Sequence, residues 1–118
     1  MKCVLIVSHG SREPATEAAF DAIVDMVRAK LPDQVVESAC MQLSERTLDG
    51  AIESLASRGA SSIQIVPYFL FTGVHIKQDI PEMINGYREK YPDIQLSLSN
   101  PLGVDERLAD ILIDRINE

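Results

Sequence analysis

Four short apolar runs alternate with four stretches of helical periodicity, and this alternation limits the folds open to the chain. Residues 2–8 (Lys-Cys-Val-Leu-Ile-Val-Ser) read as a fully apolar strand; residues 34–41 are a second strand, and the β-branched run 63–67 a third. Residues 94–98 alternate in polarity, as an edge strand does. Between them, Ala15, Ala19, Ala22, Ile23, Met26 and Val27 recur at helical spacing across residues 13–30, and Leu31-Pro32-Asp33 ends that helix. Thr47 can cap a helix whose stripe is Leu48, Ala51, Ile52, Leu55 and Ala56, stopped by Gly59. Asp79-Ile80-Pro81-Glu82 has the form of a capping box ahead of Met83, Ile84 and Tyr87; the other start is nearer His75, with a kink at Pro81. Residues 106–116 read as a last helix with Leu108, Ile111, Leu112 and Ile116 inward. Strand and helix alternating four times imply right-handed crossovers and a parallel sheet with helices on both faces. The expectation is an α/β three-layer sandwich with a four-stranded parallel sheet, flavodoxin-like, in one domain over residues 1–118.

Several classes of function are excluded early. A net charge of −7 argues against nucleic acid, which needs a basic face. The longest apolar run is too short to span a bilayer, and His9, Gly10, Ser11 and Arg12 interrupt the N-terminal run before a signal-peptide core could form. The expected location is cytoplasmic. Cys3 and Cys40 lie in no metal-ligand spacing and read as reduced, buried small hydrophobes.

The stretch 63–81 is unusual. Pro67 ends the strand ladder, and Tyr68, Phe69, Leu70 and Phe71 follow at once, holding three of the chain's six aromatic residues. A loop is normally polar, so an apolar loop asks for cover by a partner chain or a flat apolar ligand. Thr72-Gly73 and then His75 come next.

In parallel sheets, ligands bind beyond the carboxyl ends of the strands, where the strand order reverses. Ser8-His9-Gly10-Ser11-Arg12 follows the first strand and Cys40-Met41-Gln42 the second, so the chain's only two histidines, His9 and His75, both lie after strands that should be neighbours. A lone histidine there is a surface residue or a cap; the pair favours a site. Neutral imidazoles bind divalent metal and accept protons near neutral pH. Ser11 reads equally as a helix cap or a ligand contact. Arg12 and Lys77 are candidates for local positive charge, or solvated charges, and Gln42 is a hydrogen-bonding amide or an exposed one.

The two stretches Val-Ser-His-Gly-Ser-Arg and Val-Pro-Tyr-Phe-Leu-Phe-Thr-Gly-Val-His-Ile-Lys-Gln-Asp-Ile-Pro resemble the signature stretches of the class II tetrapyrrole chelatases. The nearest type is the short sirohydrochlorin cobaltochelatase and ferrochelatase. The resemblance implies half of a ferrochelatase-like fold, a homodimer, and insertion of a divalent metal into sirohydrochlorin, a macrocycle with eight carboxylates. Cobalt is the first expectation for that metal substrate, with Fe²⁺ and Ni²⁺ next. His9 and His75 would hold the metal and take the pyrrole protons. Ser11, Arg12, Gln42, Tyr68, Phe69, Leu70, Phe71, Thr72, Gly73 and Lys77 would contact the macrocycle. No Gly-rich loop ending in Lys-Ser/Thr is present, so no ATP or other nucleotide is expected. Many relatives carry Glu where this chain has Gln42, and an amide accepts no proton as a carboxylate does; either the two histidines suffice, or Glu45 nearby substitutes, or activity is weaker or differs in metal preference. Two rivals remain. One is a metal or tetrapyrrole carrier without turnover. The other is a histidine phosphatase, which usually wants Arg directly before the nucleophile, where this chain has Ser8.

Overall fold

The computed structural model describes residues 1–118; the side chains of His75 and Ile76 lie outside the described residues. Strand β1 (Lys2–Ser8) is central. It pairs in parallel with β2 (Val35–Cys40) on one side and β3 (Ser62–Pro67) on the other, and β4 (Gln95–Leu98) extends the sheet beyond β3. The order β2-β1-β3-β4 reverses direction between β1 and β3, and β4 sits at an edge, as its alternation implies.

Side chains alternate across the pleat, so each strand feeds two cores. Cys3, Leu5 and Val7 join Ile63, Ile65 and Leu96 on one face, covered by α2 (Leu48–Ser57) and α3 (Val74–Lys90) through Ile52, Leu55, Ile80 and Ile84. Ile6, Val36 and Cys40 form the other face, covered by Phe20 and Val24 of α1 (Pro14–Lys30). Both cysteines are free and buried. Thr47 caps α2 by accepting from the Gly50 amide, and Gly59 follows the helix at a φ of +91°.

Three sequence expectations are corrected. The buried stripe of α1 is Phe20 and Val24, with Val27 half-buried; Ala15, Ala19, Ala22, Ile23 and Met26 are exposed. The helix has two apolar faces; the sheet takes Phe20, Val24 and Val27 and leaves Ile23 and Met26 exposed with the alanines. Of the two starts the sequence leaves open for α3, the capping-box start at Asp79 gives way to the one near His75: the helix begins at Val74. The Lys77 amide already donates to the Gly73 carbonyl at 3.0 Å, closing the first turn, and Pro81 sits on the exposed side, where its missing donor costs least. Helix α4 (Glu106–Ile116) matches its expected bounds, but it has no buried residue: Leu108 is half-buried, and Ile111, Leu112 and Ile116, expected inward, are exposed. The sheet face it would need, beside α1, carries Gln64, Gln95 and Ser97 along β3 and β4. That surface is polar and offers the stripe nothing to bury against.

Truncating the cores should be costly in proportion to burial. Leu55→Ala, at a residue 1% exposed, is expected to lower unfolding stability by about 2–5 kcal/mol, and Val24→Ala by about 1–3 kcal/mol. Urea unfolding measures both; a loss below about 0.5 kcal/mol at either position contradicts the packing described.

Candidate active site

Pairing continues beyond the carboxyl ends of the strands. The Met41 amide donates to the Ser8 carbonyl at 2.9 Å, the Gln42 amide to the His9 carbonyl at 3.2 Å, and the Tyr68 amide to the Val7 carbonyl at 2.7 Å. The segments after β1, β2 and β3 are therefore fixed to one another by backbone. This approach requires a residue without a side chain at position 10. Gly10 has a φ of +100°, and a Cβ there would stand 1.8 Å from the Gln42 carbonyl oxygen.

His9 is exposed at this edge. The amide nitrogen of Gln42 stands 3.3 Å from its Nδ1 and 3.4 Å from its Nε2. A directed in-plane hydrogen bond would favour one ring nitrogen, so the amide instead spans both and steadies the ring without fixing one tautomer. The Phe69 ring meets the imidazole edge-on, at 6.4 Å between centroids and 76° between planes. Sequence reading placed both Gln42 and Phe69 at the site, and the structure brings both to His9.

Beside His9 opens a cavity of about 580 Å³. Its polar end is Ser8, His9 and Ser11, and its apolar wall is Ala19, Ala22, Ile23 and Tyr68. Tyr68 is held by Phe20, with ring centroids 5.4 Å apart. The exposed second face of α1 is thus the wall of the cavity, a role that sequence reading missed because helical spacing shows a face without showing what it faces.

The aromatic run is divided by the alternation of the chain. Tyr68 turns towards α1, and Phe69 turns towards the core under α2 and α3. Leu70 and Phe71 stay exposed, at 54% and 70%. Their backbone is not bare: the Leu102 amide donates to the Phe69 carbonyl at 2.9 Å and the Gly103 amide to the Leu70 carbonyl at 2.7 Å. The expectation of one continuous apolar shelf from Tyr68 to Phe71 is therefore replaced by two separate packings and an exposed tip.

The charged candidates are spread. Arg12 is exposed in a shallow hollow with Ser11, Glu17 and Glu45, so Ser11 joins that hollow to the His9 cavity. Glu45 does not line the His9 cavity; it borders the neighbouring hollow with Arg12. Thr72 and Lys77 line a third hollow with Pro67, Pro81 and Pro101. Gly73 is the N-cap of α3. His75 stands in the first turn of α3, and its side chain lies outside the described residues. Among the described residues, no three His, Cys, Asp or Glu side chains gather as a metal site.

With this geometry in place, comparison with known proteins assigns a family. The CbiX family model matches residues 3–118. The chain belongs to the CbiX family. A sirohydrochlorin cobaltochelatase of Methanosarcina barkeri is 38% identical over 122 residues, across 98% of this CbiX chain and 94% of that protein. A sirohydrochlorin ferrochelatase of Priestia megaterium is 40% identical across all of this chain, which spans only 44% of that protein. The solved sirohydrochlorin chelatase SirB from Bacillus subtilis subspecies spizizenii, in complex with cobalt, has a TM-score of 0.91 at 32% identity, over 98% of this chain and 50% of that one. The CbiX chain therefore spans about half the length of the two longer relatives and nearly all of the Methanosarcina protein.

Glu17 is a second residue that sequence reading left on a solvated face. It lines the His9 cavity and accepts from the Ser44 hydroxyl at 2.7 Å and the Arg46 guanidinium at 3.1 Å. Arg46 also reaches Asp21 at 2.7 Å and Ser38 at 3.0 Å, tying α1 to β2 and the loop after it. The Ser44 hydrogen bond first, and then Arg46, hold the Glu17 carboxyl below its ordinary pKa of 4.5. A carboxylate with a depressed folded pKa stabilises above its unfolded pKa, and that stability is lost as pH falls through the folded value.

Two outcomes are expected at this site. Unfolding stability should decline below about pH 4.5, and less steeply in Glu17→Gln than in the parent; urea titrations between pH 6 and pH 3 compare the slopes. Gly10→Ala should cost more than about 2 kcal/mol, since it combines a left-handed backbone with a clash against main chain. A neutral Gly10→Ala in the same titration would contradict the close approach.

Proposed function

We propose that this CbiX-family chain is a sirohydrochlorin chelatase that inserts a divalent metal, Co²⁺ first, into a sirohydrochlorin-type tetrapyrrole. The observation that carries the reading is His9, exposed and steadied at the head of an apolar-walled cavity. It lies at the switch point of the sheet, in a chain similar almost end to end to a named cobaltochelatase. Cobalt is placed before iron because that relative has this chain's length, whereas the named ferrochelatase is more than twice as long.

In this reading the metal is a substrate. The ion sheds water and takes the lone pair of an imidazole, with His9 on the β1 edge and His75 on α3 as the two ligands. As the macrocycle nitrogens displace the imidazoles from the M²⁺ ion, two pyrrole N–H bonds break, and the imidazole lone pairs so freed accept those two protons and pass them to water. Charge balances without any change of oxidation state, and no nucleotide takes part. The macrocycle lies against Tyr68, Ala19, Ala22 and Ile23, with Leu70 and Phe71 adding apolar area at the tip. Phe69 supports His9 from beneath, and Ser11, Gln42, Thr72 and Gly73 border the ring. Arg12 and Lys77 answer its carboxylates; both are exposed, and neither takes part in a described ion pair, whereas Arg28, Arg46, Arg58 and Arg107 are engaged by carboxylates. The working form is a homodimer in the cytoplasm, where Cys3 and Cys40 stay reduced.

The test is spectroscopic insertion into sirohydrochlorin with Co²⁺, Fe²⁺ and Ni²⁺ in turn. His9→Ala and His75→Ala are each expected to lower turnover by on the order of 100-fold while keeping the fold. Binding of metal and macrocycle without any acceleration of insertion would make the protein a carrier and reject the chelatase reading. Ala22→Phe, which fills the cavity wall, should raise KM for the macrocycle about tenfold, or ~1.4 kcal/mol, and leave KM for the metal unchanged.

A further inference from the structure

The His9 cavity carries a fixed charge. Among the described residues that line it, Glu17 is the one carboxylate, and no Lys or Arg joins it. The Ser44 hydroxyl and the Arg46 guanidinium both donate to Oε1 of Glu17, and among the described residues Oε2 has no partner. Arg46 does not cancel the charge, because the same guanidinium also pairs with Asp21 at 2.7 Å; two carboxylates share one cation. The hollow next to the cavity, which Glu17 also borders, holds Arg12 and Glu45, one charge of each sign. The hydrogen bonds keep the Glu17 carboxyl below its ordinary pKa of 4.5, so it is anionic at neutral pH. Arg46 is anchored besides by Asp21 and Ser38, so the tie to the loop after β2 uses only one oxygen of Glu17 and leaves the other without a structural task.

We propose that Glu17 is a specificity-determining residue of the His9 cavity: its carboxylate draws a divalent cation in and turns the carboxylates of the macrocycle away. This rests on the chelatase reading and adds to it a residue beyond the two histidines. The two substrates of that reaction are opposite in charge, so one anion in an apolar-walled recess acts on them with opposite sign. Coulomb energy scales with the product of the charges and is larger beside low-dielectric walls than in open water. The cations assigned to the macrocycle's acids stand outside the cavity, Arg12 in one hollow and Lys77 in another. A macrocycle entering edge-first would bring a carboxylate against Glu17. One lying with its face over the cavity keeps its acids outward, towards Arg12 and Lys77, and its ring nitrogens over the side from which the ion arrives. His9 is joined to Gln42 and not to Glu17, so Glu17 acts across the cavity as a charge and leaves the ion's coordination to the imidazole. Its side chain is 33% exposed, so salt weakens its field without removing it.

The test measures the two affinities apart from each other and from turnover. Binding of Co²⁺ to the full chain is followed by titration calorimetry, and binding of sirohydrochlorin without metal by its absorption. Glu17→Gln keeps an oxygen that accepts from Ser44 and Arg46 and removes only the charge. It should weaken Co²⁺ binding about tenfold and tighten sirohydrochlorin binding about threefold. Glu17→Asp, which keeps the charge on a shorter stem, should lie between the parent and Glu17→Gln on both measures, nearer the parent. Asp33→Asn removes the same charge in the turn before β2, at the opposite end of the sheet, and should move neither affinity. Opposite shifts separate a charge from a structural support, since a loosened loop would weaken both ligands. Shifts in the same direction, no shift in Glu17→Gln, equal shifts in Asp33→Asn, or a Glu17→Gln chain that loses its circular dichroism would each overturn the proposal. Opposite shifts in a protein that does not accelerate insertion would reject the chelatase reading and leave the role of Glu17 standing; insertion by a parent whose Glu17→Gln variant shows no shift would do the reverse.

Discussion

The close approach of Gly10 to the carbonyl of Gln42 is the contact on which the site depends. The sheet alone aligns β1, β2 and β3 but leaves the segments beyond their carboxyl ends unfixed. Three further backbone hydrogen bonds, from Met41, Gln42 and Tyr68, carry the pairing past the last strand residues. They hold the segments bearing His9, Gln42 and the aromatic run at fixed distances. Side chains on loops are usually positioned by packing, which yields by tenths of an ångström; here main-chain hydrogen bonds do it, with less slack. The left-handed turn at Gly10 makes that possible, and it also sends the chain back over the sheet into α1.

Much of the fold is legible in the sequence because the central strand is apolar on both faces. Runs such as residues 2–8 have no other stable placement than the middle of a parallel sheet, and the bounds of β1 and α4 match their expected limits. Helix faces were harder to read, for one physical reason. Periodicity reports that a helix has an apolar side but not what lies opposite it. On α1 two apolar sides compete; Phe20 and Val24 meet the sheet, and the row of alanines does not. On α4 the stripe is real, but the polar outer surface of β3 and β4 gives it nothing to meet. At α3 a good capping box lost to a turn already closed by Gly73.

The site was legible in its polar members and obscure in its apolar ones. His9 and Gln42 stand together because both come after the carboxyl ends of adjacent strands, a position that topology alone predicts. The wall beside them comes from Ala19, Ala22 and Ile23, which in sequence look like ordinary core. Small side chains at a helix surface leave room where larger ones would fill it, so the cavity exists because that face of α1 is made of alanine. The same logic explains why the aromatic run does not form one shelf: consecutive residues leaving a strand point to opposite sides, and Tyr68 and Phe69 do so.

The surroundings of His9 also bear on how a metal would be handled. A closed centre with four protein ligands retains its ion, and structural zinc sites are built that way. Among the described residues, the side chains recorded against His9 are the Gln42 amide and the Phe69 ring, and the imidazole itself is exposed. Neither neighbour adds a negative charge that would trap a cation, while together they keep the imidazole from swinging away. An ion met by a steadied but sparsely supported nitrogen keeps most of its other coordination positions for water or for a second donor. That is the arrangement a protein needs if the ion is to be passed on rather than stored. Under the proposed chelatase function, the apolar wall beside it would favour a flat acceptor whose own nitrogens complete the coordination.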